Sequence, residues 1–298
     1  MRGNRRIATI LTAAFCASAR GETITRAVGP LELKGVQTAM SGPSANITQK
    51  FDRPGWITAF SVRVMDANKN PAEHEGVHCH SVLDNLSEPI EDRTRYRSLG
   101  LSVENPHLLL AEGQTEIRFP EGFGVAVDSV TSYDLGSMLQ NEDGTKDGSY
   151  SFEYKLEFTG AGEKPPLKPL TVFVVKIRDG AGPGDPHCGS PVWDAPPGRH
   201  VFEKAFEMPC AAQVRVISTH VHRYIRTIEL LEEKTGKTVY QTPVELDARG
   251  YPKEIPTYSS AGGLPLEAGR RYVFRLTYDN PLKHPIAAMG MMLLYGSR

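Results

Sequence analysis

In residues 151–158 every second side chain is apolar: Phe152, Tyr154, Leu156 and Phe158 alternate with Glu153, Lys155 and Glu157. A period of two puts one set on each face of an extended strand, whereas a helix would scatter both sets around its axis. Residues 56–64 read the same way, with Trp56, Phe60, Val62 and Val64 on one face, and residues 271–278 alternate again. Residues 170–177 form a β-branched apolar run, the pattern of a buried strand. Helical-looking stretches such as residues 229–237 are short and end in Thr-Gly turn chemistry. Many strands punctuated by Gly, Pro and Asn, without a βαβ rhythm, predict an all-β chain. The expected architecture is two jelly-roll-like β-sandwich domains in tandem, facing a cleft.

Residues 179–198 hold five Gly and five Pro, a linker composition. The expected division is therefore a first domain over residues 20–180, a linker over 181–198 and a second domain over 199–298. Residues 1–19 carry the three parts of a secretory signal: Arg2, Arg5 and Arg6, then an apolar run over 7–15, then Ala17-Ser18-Ala19. Cys16 follows the bulky Phe15, which disfavours lipidation. No other segment is apolar and long enough to span a bilayer, so an exported protein, periplasmic or secreted, with no integral membrane segment after cleavage is expected. In an oxidising compartment Cys188 and Cys210, which flank part of the Pro/Gly-rich stretch, are expected to pair, leaving Cys79 as the odd thiol. Lys plus Arg number 34 against 35 Asp plus Glu, a net charge of −1 that argues against a nucleic-acid partner. A monomer is expected.

Chemistry concentrates in the nine histidines, which include two H-x-H pairs, His78/His80 and His220/His222. Random placement would give roughly 0.3 such pairs. On a strand, residues i and i+2 project from one face, so each pair can aim two imidazoles at one point, where one or two further donors complete a metal site. The segment over residues 288–295 reads as a strand with Met289 and Met291 on one face and Met292 on the other. A Met stripe usually fills a core, but a thioether added to a histidine pair selects copper, particularly Cu(I), over zinc.

Ser218-Thr-His-Val-His222, then Tyr278-Asp-Asn-Pro281, then residues 286–295 resemble the second domain of the copper type II, ascorbate-dependent monooxygenases, the family of the peptidylglycine α-hydroxylating and dopamine β-monooxygenases. The resemblance is best over residues 200–298 and thinner over 50–160. It implies two facing jelly-roll domains and an oxygen-activating copper held by His220, His222 and Met289, with Met291 as the substitute. It also implies a second, electron-transfer copper in the first domain. There His78 matches, Cys79 stands where the family has a second histidine, His80 is displaced by one, and Met138 stands where a third histidine is expected. His74 and His107 are replacements not matched by position. With up to two coppers and ascorbate as reductant, the implied activity is hydroxylation of a C–H bond of a small-molecule or peptide substrate by O2.

Three other readings compete. One is a non-enzymatic exported copper-binding protein on the same scaffold, favoured by the departures at Cys79 and Met138. Another is a cupin-type metalloenzyme, suggested by His78, His80 and Asp84, which leaves Met289 unexplained. The third is an adhesion or carbohydrate-binding β-sandwich without a metal.

Overall fold

The alternating segments fold as strands. The structure is a computed structural model describing residues 21–37, 41–85, 93–102, 106–163, 167–178 and 191–298. The stretch read as a signal peptide, Cys188 and most of the Pro/Gly-rich segment lie outside the described residues. The first part of the chain contains β1 (Glu22–Leu33), β2 (Ser44–Gln49), β3 (Gly55–Met65), β4 (His78–Asn85), a short helix α1 (Arg93–Ser98), β5 (Pro106–Ala111), β6 (Glu116–Arg118), β7 (Phe123–Val127), β8 (Tyr133–Leu139), β9 (Gly148–Gly160) and β10 (Lys168–Pro169). There follow β11 (Thr171–Lys176), β12 (Trp193–Ala195), β13 (Gly198–Glu207), β14 (Ala212–Val221), β15 (Ile225–Glu232), β16 (Thr238–Pro243), β17 (Glu245–Leu246), β18 (Pro252–Glu254), β19 (Tyr258–Leu266), β20 (Arg271–Asn280), β21 (Ile286–Ala288) and β22 (Gly290–Ser297). The expected all-β, tandem-sandwich class is the one the chain adopts.

The first sandwich packs the sheet β1-β9-β3-β7-β10 on the sheet β2-β8-β4-β5. Phe152, Tyr154, Leu156 and Phe158 of β9 are all fully buried between them, as their alternation predicts. In β3 the phase changes: a bulge between Ile57 and Ala59 puts Ile57 rather than Trp56 in the core with Phe60, Val62 and Val64. One extra residue in a bulge reverses the faces of everything beyond it, and alternation alone does not reveal that.

The second sandwich packs β11-β22-β14-β19 on β13-β20-β15-β16. β11 precedes the Pro/Gly-rich stretch in sequence yet pairs with β22, and β12, inside that stretch, pairs with β21. The helical-looking residues 229–237 are instead the end of β15 and a hairpin turn to β16, with Gly236 at φ 68°. A hairpin of this kind needs a residue in the left-handed region, which glycine adopts without a Cβ penalty.

The sheet β11-β22-β14-β19 has a core on each side. In β22, Met292 and Leu294 join the second core, while Met291, Leu293 and Tyr295 join the first. In β14, Ile217 and Val221 face the second core, while Val216 joins the first and Ser218 donates to the Leu109 carbonyl of β5 at 2.7 Å. The Thr219 amide donates to the Gln114 side-chain oxygen at 2.8 Å, and the Ile255 amide to the Gly113 carbonyl at 2.9 Å. Glu142 and Arg223, both nearly buried, form an ion pair at 3.0 Å across the same junction. The two sandwiches thus share a continuous, hydrogen-bonded face, and the His220/His222 pair lies on it.

Candidate metal centre between the sandwiches

His220 is the penultimate residue of β14 and His222 follows its end, so the two lie on one side of the backbone with ring centroids 5.3 Å apart. Past His222 the chain turns out of the sheet through Arg223 and Tyr224, where Tyr224 takes φ 65°. That conformation is rare for a bulky residue and marks a corner held by its surroundings. The Tyr224 amide donates to the Gly250 carbonyl at 2.7 Å, and the Asp279 amide to the Tyr224 carbonyl at 2.9 Å. The His222 ring is oriented by its Nδ1, 3.1 Å from the Ala287 carbonyl. A carbonyl can only accept, so Nδ1 carries the proton and Nε2 presents a lone pair. That Nε2 is buried and has no hydrogen-bond partner. A carbonyl holding one nitrogen while the other keeps an unsatisfied lone pair is an arrangement that suits a histidine to bind a metal.

β4 approaches from the first sandwich. A regular strand would send His78 and His80 to one face and Cys79 to the other. Instead the ladder with β8 slips between His78, opposite Leu139, and His80, opposite Met138, which makes Cys79 the extra residue of a bulge. The surrounding framework is buried. The Glu112 amide donates to the Cys79 carbonyl at 3.3 Å, the Gln140 amide donates to the Val77 carbonyl at 2.8 Å, and the Glu112 carboxyl accepts from the Gln140 side chain at 2.9 Å and from the Gly76 amide. The bulge turns Cys79 and His80 together toward the second sandwich. Cys79 Sγ lies 3.6 Å from His220 Nε2 and 3.3 Å from His80 Nδ1, and the His80 and His220 rings are 4.9 Å apart.

Cys79, His220 and His222 therefore converge: one ligand atom from each lies within 4.8 Å of the others, and this is the one such cluster of three among the described residues. All three side chains are 2% exposed. Burial holds the imidazoles neutral, His222 and His80 down to about 4 and His220 well below the ordinary histidine value, the last also through the neighbouring histidines. Burial, reinforced by the Glu112 and Glu142 carboxylates, pushes the Cys79 thiol up, so the thiol keeps its proton until a cation displaces it. Lys176, Met291 and His220 stand directly opposite one another across β11, β22 and β14, which places a buried lysine in the same row and on the same face. The Lys176 charge also disfavours protonation of His80 and His220.

Methionine placement follows the sequence reading: Met289 and Met291 belong to the core shared with the first sandwich and Met292 to the second. Gly290 between them sits where a Cβ would run into the Leu276 and Ile177 side chains, so the Met-Gly-Met spacing is set by close approach.

Several expected site residues lie elsewhere. His78 does not face the second sandwich: its Nε2 is 2.9 Å from Ser81 Oγ, its ring packs on Phe152 at 5.6 Å, and it is fully buried in the first core. The bulge that turns Cys79 outward leaves His78 on the inner face. Met138 is opposite His80 and half-buried. His107 packs on Tyr133 at 5.3 Å in the first core, His74 is 3.6 Å from Glu75, and Asp84, which the cupin reading requires, is outside the cluster. Cys210 is half-buried and free, so the expected bridge to Cys188 finds no support. The sequence reading assigned Cys79 to a separate first-domain site and did not single out Lys176, Glu112 or Gln140. A lysine at the end of an apolar strand was the available signal for the first of these. No described helix is long and apolar enough to cross a membrane.

No family model and no curated protein matches the chain. Among solved structures it is similar in shape to PNGase F, a glycosylasparaginase from Flavobacterium meningosepticum, at 11% identity and TM-score 0.42 over 93% of this chain and 96% of that one. It is also similar to a peptide-N(4)-(N-acetyl-β-D-glucosaminyl) asparagine amidase at 12% identity and TM-score 0.41, covering 93% and 96% of the two chains. The major capsid protein of bacteriophage PM2 gives 10% identity and TM-score 0.39 over 93% and 99%. Likeness at this level carries no argument about the site.

Proposed function

We propose that this chain is a copper-binding protein with a single centre, held between its two sandwiches by Cys79, His220 and His222. The observation that carries this reading is the convergence of a buried thiol with two neutral imidazoles, one of which presents an unsatisfied Nε2. One thiolate and two imidazoles with methionines on the same sheet face form a soft donor set, the kind that selects copper. A trigonal set of this composition with a more distant thioether is also the electron-transfer type of copper site. Copper held there would supply one-electron chemistry; the chain's own residues orient the donors, exclude water and keep the imidazoles unprotonated. The oxygen-activating, ascorbate-dependent role implied by the resemblance needs a metal position open to O2 and substrate, and a second metal. The 2% exposure of all three ligand side chains and the merging of both halves' donors into one cluster favour a closed binding or electron-transfer centre instead.

The test is anaerobic titration of the purified protein with Cu(I) against a competing chelator, followed by metal analysis, on wild type, Cys79→Ser and His222→Ala. One tightly held copper per chain, lost in both variants, supports the proposal. Retention of copper by Cys79→Ser and His222→Ala, preference for zinc, or no metal bound would overturn it.

A further inference from the structure

Resting on the proposed centre, we propose that Tyr278 is its positioning residue: one hydroxyl, reaching across the second core, ties the His222 backbone to that of Met289. The ladder between β14 and β22 ends at Val221 opposite Gly290. The next residue on each side, His222 and Met289, carries a prospective donor but no longer has a strand partner in that ladder. The Tyr278 hydroxyl fills the gap. It accepts from the His222 amide at 3.1 Å and donates to the Met289 carbonyl at 2.6 Å, and the Met289 amide lies 3.4 Å from the same oxygen.

Tyr278 itself belongs to the opposite sheet. In β20 it pairs with His200 on one side and Ile225 on the other, and its ring is fixed edge-on by Trp193 and Phe202, with centroids 6.3 and 6.1 Å away. It is fully buried. The hydroxyl is thus a rigid post rather than a surface group in search of a partner. The Ala287 carbonyl that orients the His222 ring is two residues before Met289, in β21, which β12 pins through Asp194. Side-chain orientation of His222 and backbone position of Met289 are therefore set by one short segment, and Tyr278 fixes the distance between that segment and the end of β14. Loss of such an outer partner typically lowers metal affinity 10–100-fold.

Tyr278→Phe keeps the ring and removes only the hydroxyl. The expected result is a Cu(I) affinity 10–100-fold below wild type and a shifted thiolate-to-copper absorption of the Cu(II)-loaded protein. Residue-resolved amide exchange of the metal-free variant should show faster exchange at His222 and Met289. A purely structural role would lower the melting temperature and leave the affinity and absorption of the folded protein unchanged; that outcome overturns the inference. Wild-type protein without metal supplies a second reading: the His222 amide, although beyond the last ladder pair, should exchange as slowly as the paired residues of β14. Exchange there at the rate of an open loop also overturns the inference, whether or not Tyr278→Phe folds. If wild type binds no copper, the centre itself fails, and the exchange data still decide whether the hydroxyl holds the two segments together.

Discussion

Replacing Cys79 with serine should remove the metal-dependent part of the protein's thermal stability while leaving a folded apoprotein. The side chain is 2% exposed and the substitution changes one atom, so no sizeable cavity opens. The shorter hydroxyl cannot maintain the 3.6 Å approach to His220 Nε2, and a poorly partnered buried hydroxyl costs about 1–3 kcal/mol. Metal adds a separate stabilisation of comparable size to the wild type: a ligand at 100 times its Kd stabilises the native state by about 2.7 kcal/mol. For a chain of this size each kcal/mol moves Tm by about 2–4 °C, so copper should raise the wild-type Tm by about 5–10 °C. An alcohol is a hard donor and does not replace a thiolate for Cu(I), so Cys79→Ser should show almost none of that rise. The assay is thermal unfolding of both proteins, metal-free and in chelator-buffered Cu(I). A copper-induced rise in Cys79→Ser equal to that of wild type would refute the assignment of Cys79 as a ligand.

Three further outcomes are expected. His78→Ala should leave copper stoichiometry at the wild-type value but destabilise the protein by about 2–4 kcal/mol through the cavity it leaves beside Phe152; loss of copper would return His78 to the ligand set. Arg223→Ala leaves Glu142 buried without its partner and should cost about 3–5 kcal/mol, with part of the loss recovered by adding Glu142→Gln; chemical denaturation of single and double variants measures both. Acid should destabilise the fold early. Burial holds His78 down to about 3 and His107 to about 4, whereas each protonates near 6.5 in the unfolded chain. Between those values the unfolded state binds more protons, so stability is full above about 6.5 and falls as pH drops toward 4, by about 1.4 kcal/mol per pH unit for each group. Denaturation midpoints that stay constant from pH 7 to pH 4.5 would contradict this.

Where periodicity is regular, the sequence displayed the fold: the β9 alternation and the two faces of β22 follow directly from side-chain order. What it concealed were the irregularities, because a bulge is a backbone event with no fixed residue signature. One bulge exchanges Trp56 for Ile57 in the first core, and another turns Cys79 out and His78 in. The His220/His222 pair was legible because its residues are two apart in extended backbone at the end of β14. Its partner was not, since Cys79 and His220 are 141 residues apart and meet only when the two sandwiches dock. Local pattern carries no information about such long-range juxtaposition, so side chains that converge in the fold read as belonging to two separate sites.

The most direct test of a single interdomain copper centre is X-ray absorption on stoichiometrically Cu(I)-loaded wild-type protein, with metal content measured on the same sample. One copper per chain with one short sulfur scatterer, near ~2.3 Å, and two imidazole nitrogens, near ~2.0 Å, is the predicted result. Two coppers per chain, or a first shell of nitrogen and oxygen without the short sulfur, would contradict it.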